Sequence, residues 1–141
     1  MAFLLIFEIQ IVIKFSIFFS LVLNFYCLDK SLLMIAAEKG SIELVSKLLE
    51  FDAHLELKDN WGKSALFYAI DAKNNNYQLV SFFLDKGADP NARCKNGTTP
   101  LFRAVEISDF HIVDLLLKRK CNVFIKQEST GNFSANIEGF N

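Results

Sequence analysis

The sequence predicts an all-α solenoid, three pairs of short helices stacked one on the next with hairpin loops between the pairs. Two observations predict it. Ser31-Leu32-Leu33-Met34-Ile35-Ala36-Ala37 returns 33 residues later as Ser64-Ala65-Leu66-Phe67-Tyr68-Ala69-Ile70, and 35 residues after that as Thr99-Pro100-Leu101-Phe102-Arg103-Ala104-Val105. A period of this size is the mark of a stacked helical array. Within each unit the apolar residues also keep to one helix face: Leu66 and Ala69 lie three apart, and Leu79, Val80, Phe83 and Leu84 follow an i, i+1, i+4, i+5 rhythm.

Residues 1–28 stand apart in composition, dominated by Phe, Leu, Ile and Val. Up to Ile17 the polar residues Glu8, Gln10, Lys14 and Ser16 fall on even positions, the alternation of a strand. Beyond it Ser16, Ser20 and Asn24 are spaced by four, the stripe of a helix, and an apolar N-terminal helix preceding the array is the expectation. Residues 9–28 reach the roughly 20 apolar residues a membrane span needs. Each strongly apolar residue there favours insertion by about 0.3 to 0.6 kcal/mol, and Lys14 opposes it by about 2.5 to 3.5 kcal/mol if central. Three readings therefore stand: a membrane anchor or uncleaved signal, a cap over the first unit, or a mis-assigned start.

The units follow as residues 29–59, 60–94 and 95–127. Each opens with a hydroxyl suited to cap a helix, at Ser31, Ser64 and Thr99, and Pro100 sits at the first helical position, where a missing N–H costs nothing. Ala36, Ala69 and Ala104 recur where small side chains let helices approach. Gly62 and Gly97 recur in the turn before a first helix, where positive φ is needed. The second unit carries two extra residues, expected in the polar turn Lys73-Asn74-Asn75-Asn76, where loop growth is cheap. Residues 128–141 read as a tail or decayed repeat: Gly131 comes 34 after Gly97, and no helical pattern follows it.

Asn96-Gly97-Thr98-Thr99-Pro100-Leu101 and Gly87-Ala88-Asp89-Pro90-Asn91-Ala92 are the stretches by which the chain resembles the ankyrin repeat family. The resemblance runs from about Asp29 to Lys126. It implies an ankyrin-type solenoid that works as a non-enzymatic protein–protein interaction module. In that family a partner is bound on the concave face, made of hairpin tips and the exposed side of each first helix. Carried over position by position, the face here is Lys58, Asn60, Trp61, Lys63, Asp71, Arg93, Lys95, Asn96, Thr98, Glu106 and Ile107, with Glu38, Lys39 and Ala72 beside them. Trp61 is the expected anchor, since tryptophan is enriched among interface hot spots; packing of its indole across the neighbouring hairpin is the competing reading. Family members include host-directed effectors of intracellular bacteria. A truncated or degenerate piece of a longer array, with a structural role only, is the alternative to a binding module.

Other classes find little support. Lys and Arg number 15 against 16 Asp and Glu, with no broad basic face for nucleic acid. Lys118-Arg119-Lys120 falls at a helix C-terminus, where cations meet the macrodipole. His54 and His111 have no ligand partners at metal spacing, no phosphate-cradling glycine loop or nucleophile turn is present, and neither catalysis nor a cofactor is expected. Cys27, Cys94 and Cys121 are odd in number and share no metal spacing. Cys121 is expected to be packed. Cys94 is expected to be exposed at a hairpin tip, which favours a reducing compartment, whether the protein is membrane-associated or cytoplasmic.

Overall fold

A computed structural model describes residues 29–74 and 76–123. Among them lie six α-helices and no strand: α1 Leu32–Glu38, α2 Ile42–Glu50, α3 Ala65–Asp71, α4 Asn76–Asp85, α5 Pro100–Glu106 and α6 Phe110–Lys118. The expected N-terminal helix and the tail at 128–141 lie outside the described residues.

Local chemistry starts most of these helices where the sequence places them. Ser31, Ser41, Thr99 and Asp109 each accept a backbone N–H of the first turn, from Met34, Leu44, Phe102 and Ile112. Ser64 departs from this pattern. It occupies the cap position of α3 with extended backbone, yet its Oγ accepts nothing and lies buried without a partner. The helix is held by packing in place of a cap, since Ala65, Leu66, Phe67, Tyr68, Ala69 and Ile70 are all buried.

Apolar faces then set the layers. The first helices α1, α3 and α5 stack in order, each packs on the second helix of its own unit, and α4 packs on α6. Ala36, Ala69 and Ala104 are almost wholly buried at the matching small-residue sites. One apolar core runs through all three units, from Leu33 and Val45 through Leu66 and Phe83 to Ile112 and Leu116. At about 25 cal/mol per Å² of apolar area, burial of this kind is the main stabilising term.

Second helices close in the same way each time. The N–H groups of Ala53, Ala88 and Cys121 reach back to the carbonyls of Leu48, Phe83 and Leu116, across a residue in left-handed conformation. That residue is Gly87 in the middle unit but Asp52 and Lys120 in the outer two, with φ of 62° and 57°. Only glycine adopts this conformation without steric cost. The two extra residues of the second unit are divided: the connection at 72–75 has one residue more than those at 39–41 and 107–109, and α4 begins one residue earlier relative to its apolar face. At that start Asn76 accepts the Tyr77 N–H and donates from Nδ2 to Asp109 in the next unit.

Side chains and backbone also lace successive units together. Asp89 N–H donates to Glu56 Oε1 at 3.0 Å, Asn122 N–H to Asn91 Oδ1 at 2.6 Å, and Arg119 Nη2 pairs with Asp85 at 2.8 Å. Lys118 pairs within its own helix with Asp114, so two cations of the Lys118-Arg119-Lys120 run serve the fold.

Candidate functional site

The hairpin tips at 59–63 and 94–98 have the same backbone turn. Asp59 N–H donates to the Lys63 carbonyl and Gly62 N–H to the Asp59 carbonyl; Cys94 and Gly97 repeat both bonds with Thr98 and Cys94. Gly62 is required on two counts. Its φ is +76°, and a Cβ there would stand 3.0 Å from Lys95 N. The tips touch through Lys95 N–H, which donates to the Trp61 carbonyl at 2.8 Å.

Asp59 fastens the first tip. Its Oδ1 accepts the N–H groups of Trp61 and Lys63, both at 2.8 Å, and its Oδ2 accepts the Tyr68 hydroxyl at 2.6 Å. The carboxylate is 6% exposed and fully engaged. Burial, then the bond to Asp59, pushes the Tyr68 phenol well above its ordinary range. In the second tip Cys94 takes the place of Asp59, donating its thiol to Asn96 Oδ1 and the Thr98 carbonyl. Cys94 is therefore buried, at 7% exposure, where the sequence suggested an exposed thiol. Phe67 and Ala92 share a small buried cluster with it. Cys121 is buried as expected, and burial raises its thiol pKa.

Between the tips and the first helices lies an open cleft of about 630 Å³. Of the residues expected at the binding face, Trp61, Lys63, Asp71, Lys95 and Asn96 line it, as does Glu38. Trp61 is 59% exposed, its backbone fixed on both sides by Asp59 and Lys95. Lys58, Asn60, Arg93, Glu106 and Ile107 are exposed but outside the cleft, as is Lys39. Lys58 Nζ donates to the Arg93 carbonyl, and Glu106 pairs with Arg103 at 3.1 Å. Thr98 differs from expectation: it is buried because its carbonyl and N–H close the tip on Cys94 and Asn96, leaving its side chain inside. Ala72 is buried also.

Two cleft residues, and one bonded behind them, were not singled out from sequence. Tyr68 and Lys30 line the cleft, with the Lys30 ammonium 4.5 Å from the Tyr68 ring centre and 2.9 Å from Glu38. Asp59 stands behind it. The Asp59-x-x-Gly62 spacing is an Asx-turn signature and could have marked this residue. Asp71 is held by Arg103 Nε at 2.7 Å, and that bond keeps the guanidinium pKa above its ordinary value. Among the described residues no group of three or more His, Cys, Asp or Glu is placed to hold a metal ion.

Stacked helix pairs with ordered hairpin tips beside a cleft define a helical-repeat solenoid. The chain belongs to the ankyrin repeat family: the family profile of ankyrin repeats in three copies matches residues 12–94 and 33–127. A crystal structure of an ankyrin repeat domain from Acinetobacter baumannii AYE is similar with a TM-score of 0.62 and 34% identity, over 67% of this chain and 50% of that one. A putative ankyrin repeat protein of Acanthamoeba polyphaga mimivirus is 30% identical over 91 residues, 62% of this chain and 12% of that protein. The 2-5A-dependent ribonuclease of Mus musculus is 39% identical over 77 residues, 54% of this chain and 10% of that enzyme. The chain thus spans about a tenth of the length of these two curated relatives. Ankyrin repeats are generally protein–protein interaction modules.

Proposed function

We propose that the chain is a non-enzymatic interaction module that receives a protein partner on the face formed by its hairpin tips and first helices. The observation that carries this reading is the cleft at Trp61: a large side chain stands mostly in solvent on a backbone already fixed by Asp59 and Lys95. An anchor held in place before binding loses less entropy on association, and tryptophan is enriched among interface hot spots.

The test is capture of partners by the wild-type chain beside the Trp61→Ala, Arg93→Ala double variant. Partners enriched by the wild type and lost by the variant, with the helical circular dichroism unchanged, are the expected result. Retained capture would sink the face.

The same proposal tethers the repeats to a membrane by residues 1–28; with Cys94 buried, the case for a reducing compartment from an exposed thiol falls away. No helix of the described residues is long and apolar enough to cross a membrane; the tether rests on the composition of residues 1–28 alone. Alkaline carbonate and detergent extraction of the full chain, beside a form starting at Leu28, decides it. Release of the full chain by carbonate alone would remove the tether and leave the interaction face standing.

A further inference from the structure

We infer that the occupant of the Trp61 cleft is an acidic stretch of a partner protein that also carries an aromatic or aliphatic side chain. This rests on the interaction reading above and adds the partner's chemistry. Its basis is an asymmetry in how the charges of the cleft are used. The carboxylates are spent within the fold: Glu38 on Lys30, Asp71 on Arg103, and Asp59 on two backbone N–H groups and the Tyr68 hydroxyl. The cations Lys63 and Lys95 line the same cleft, and among the described residues neither ammonium has an ion-pair or hydrogen-bond partner. Arg93, two residues before Lys95, is exposed and its guanidinium is likewise unpaired.

Among the residues lining the cleft, Lys30, Lys63 and Lys95 outnumber Glu38 and Asp71, and both of those carboxylates are ion-paired, so the cleft carries an excess of positive charge although the whole chain has a formal net charge of −1. Such a site attracts anions and repels basic segments. The Trp61 indole, which lines the same cleft as the two lysines, adds an apolar surface that a purely anionic ligand would leave unused. Carboxylates on either side of an apolar residue would meet both ammonium groups and the ring together. Nucleic acid fits less well. It calls for a longer basic track than Lys63, Lys95 and Arg93 provide.

The experiment selects a displayed library of random dodecapeptides on the full-length chain. Affinities of the winners are then measured by fluorescence anisotropy, with a labelled single-stranded thymidine oligomer as competitor. The expected winners place Asp or Glu beside an aromatic or aliphatic residue. Their affinity falls about tenfold with Trp61→Ala and about tenfold with Lys63→Glu and Lys95→Glu combined. Lys63→Gln with Lys95→Gln gives a smaller loss in the same direction, and all variants keep the wild-type circular dichroism. Winners that need Trp61 but are neutral or basic, or that ignore the charge reversal, overturn the acidic chemistry and leave the face intact. Winners indifferent to both Trp61 and the lysines overturn the face itself. An empty selection, or preference for the oligomer, overturns the inference.

Discussion

The two hairpin tips share one backbone turn and fasten it with different chemistry. Tip 59–63 is closed by a buried carboxylate taking three donors, one of them the Tyr68 hydroxyl from α3. Tip 94–98 is closed by a thiol and an amide, and the residue at the Tyr68 position, Arg103, turns away to Asp71. The first tip is therefore bolted to its helix and the second is not. Rigidity is concentrated under Trp61, where a binding anchor gains most from it.

Replacing each fastener in turn should expose this difference. Asp59→Ala leaves two backbone N–H groups and a phenol without an acceptor, and should cost about 3 kcal/mol in urea unfolding. Cys94→Ala, which removes a weak donor from an otherwise intact turn, should cost about 1 kcal/mol or less. Equal costs would show that the bolt is not where the strength lies.

Tyr68→Phe comes next, at about 1.5 to 3 kcal/mol for a bond to a charged partner. It carries a pH signature. Because the folded phenol titrates well above its unfolded value of about 10, its stabilisation is complete below pH 10 and is lost as pH rises from there through the folded pKa. Absorbance titration should find a tyrosine that resists ionisation above pH 10 until the chain unfolds, and Tyr68→Phe should remove that late step.

The helix starts above the tips extend the comparison at smaller scale. Thr99→Ala removes a working cap and should cost about 1 kcal/mol. Lys120→Gly relieves a left-handed lysine and should raise stability by about 0.5 to 1 kcal/mol, as Asp52→Gly should in the first unit, both read from thermal melts. Ser64→Ala deletes a hydroxyl that already lacks a partner and should change stability by no more than about 0.5 kcal/mol.

What could be read from sequence was whatever repeats. The helix pairs, the caps at Ser31 and Thr99, Pro100 at the first helical position and the three alanines follow from period and local preference. Features that depend on a partner elsewhere in the chain were hidden. Ser64 has a cap's identity and position but makes no cap bond, because packing holds α3 without one. Asp71 lines the cleft, but its ion pair with Arg103, 32 residues away, was hidden. Thr98 and Cys94 were assigned to the tip surface by register, yet tip closure turns both inward. At the cleft, Trp61, Lys63, Lys95 and Asn96 were found by analogy of position. Tyr68 and Lys30 were missed, since nothing in a helix pattern says that one residue will be drawn under a neighbouring loop.

The bonds joining successive units, Lys95 to Trp61, Asp89 to Glu56, Asn122 to Asn91 and Asn76 to Asp109, each reach one unit along and no farther. A force pulling on the ends of the array would load these stitches one at a time. The array should give way unit by unit under tension as a soft spring, extending in steps where a closed globule would hold until it failed at once.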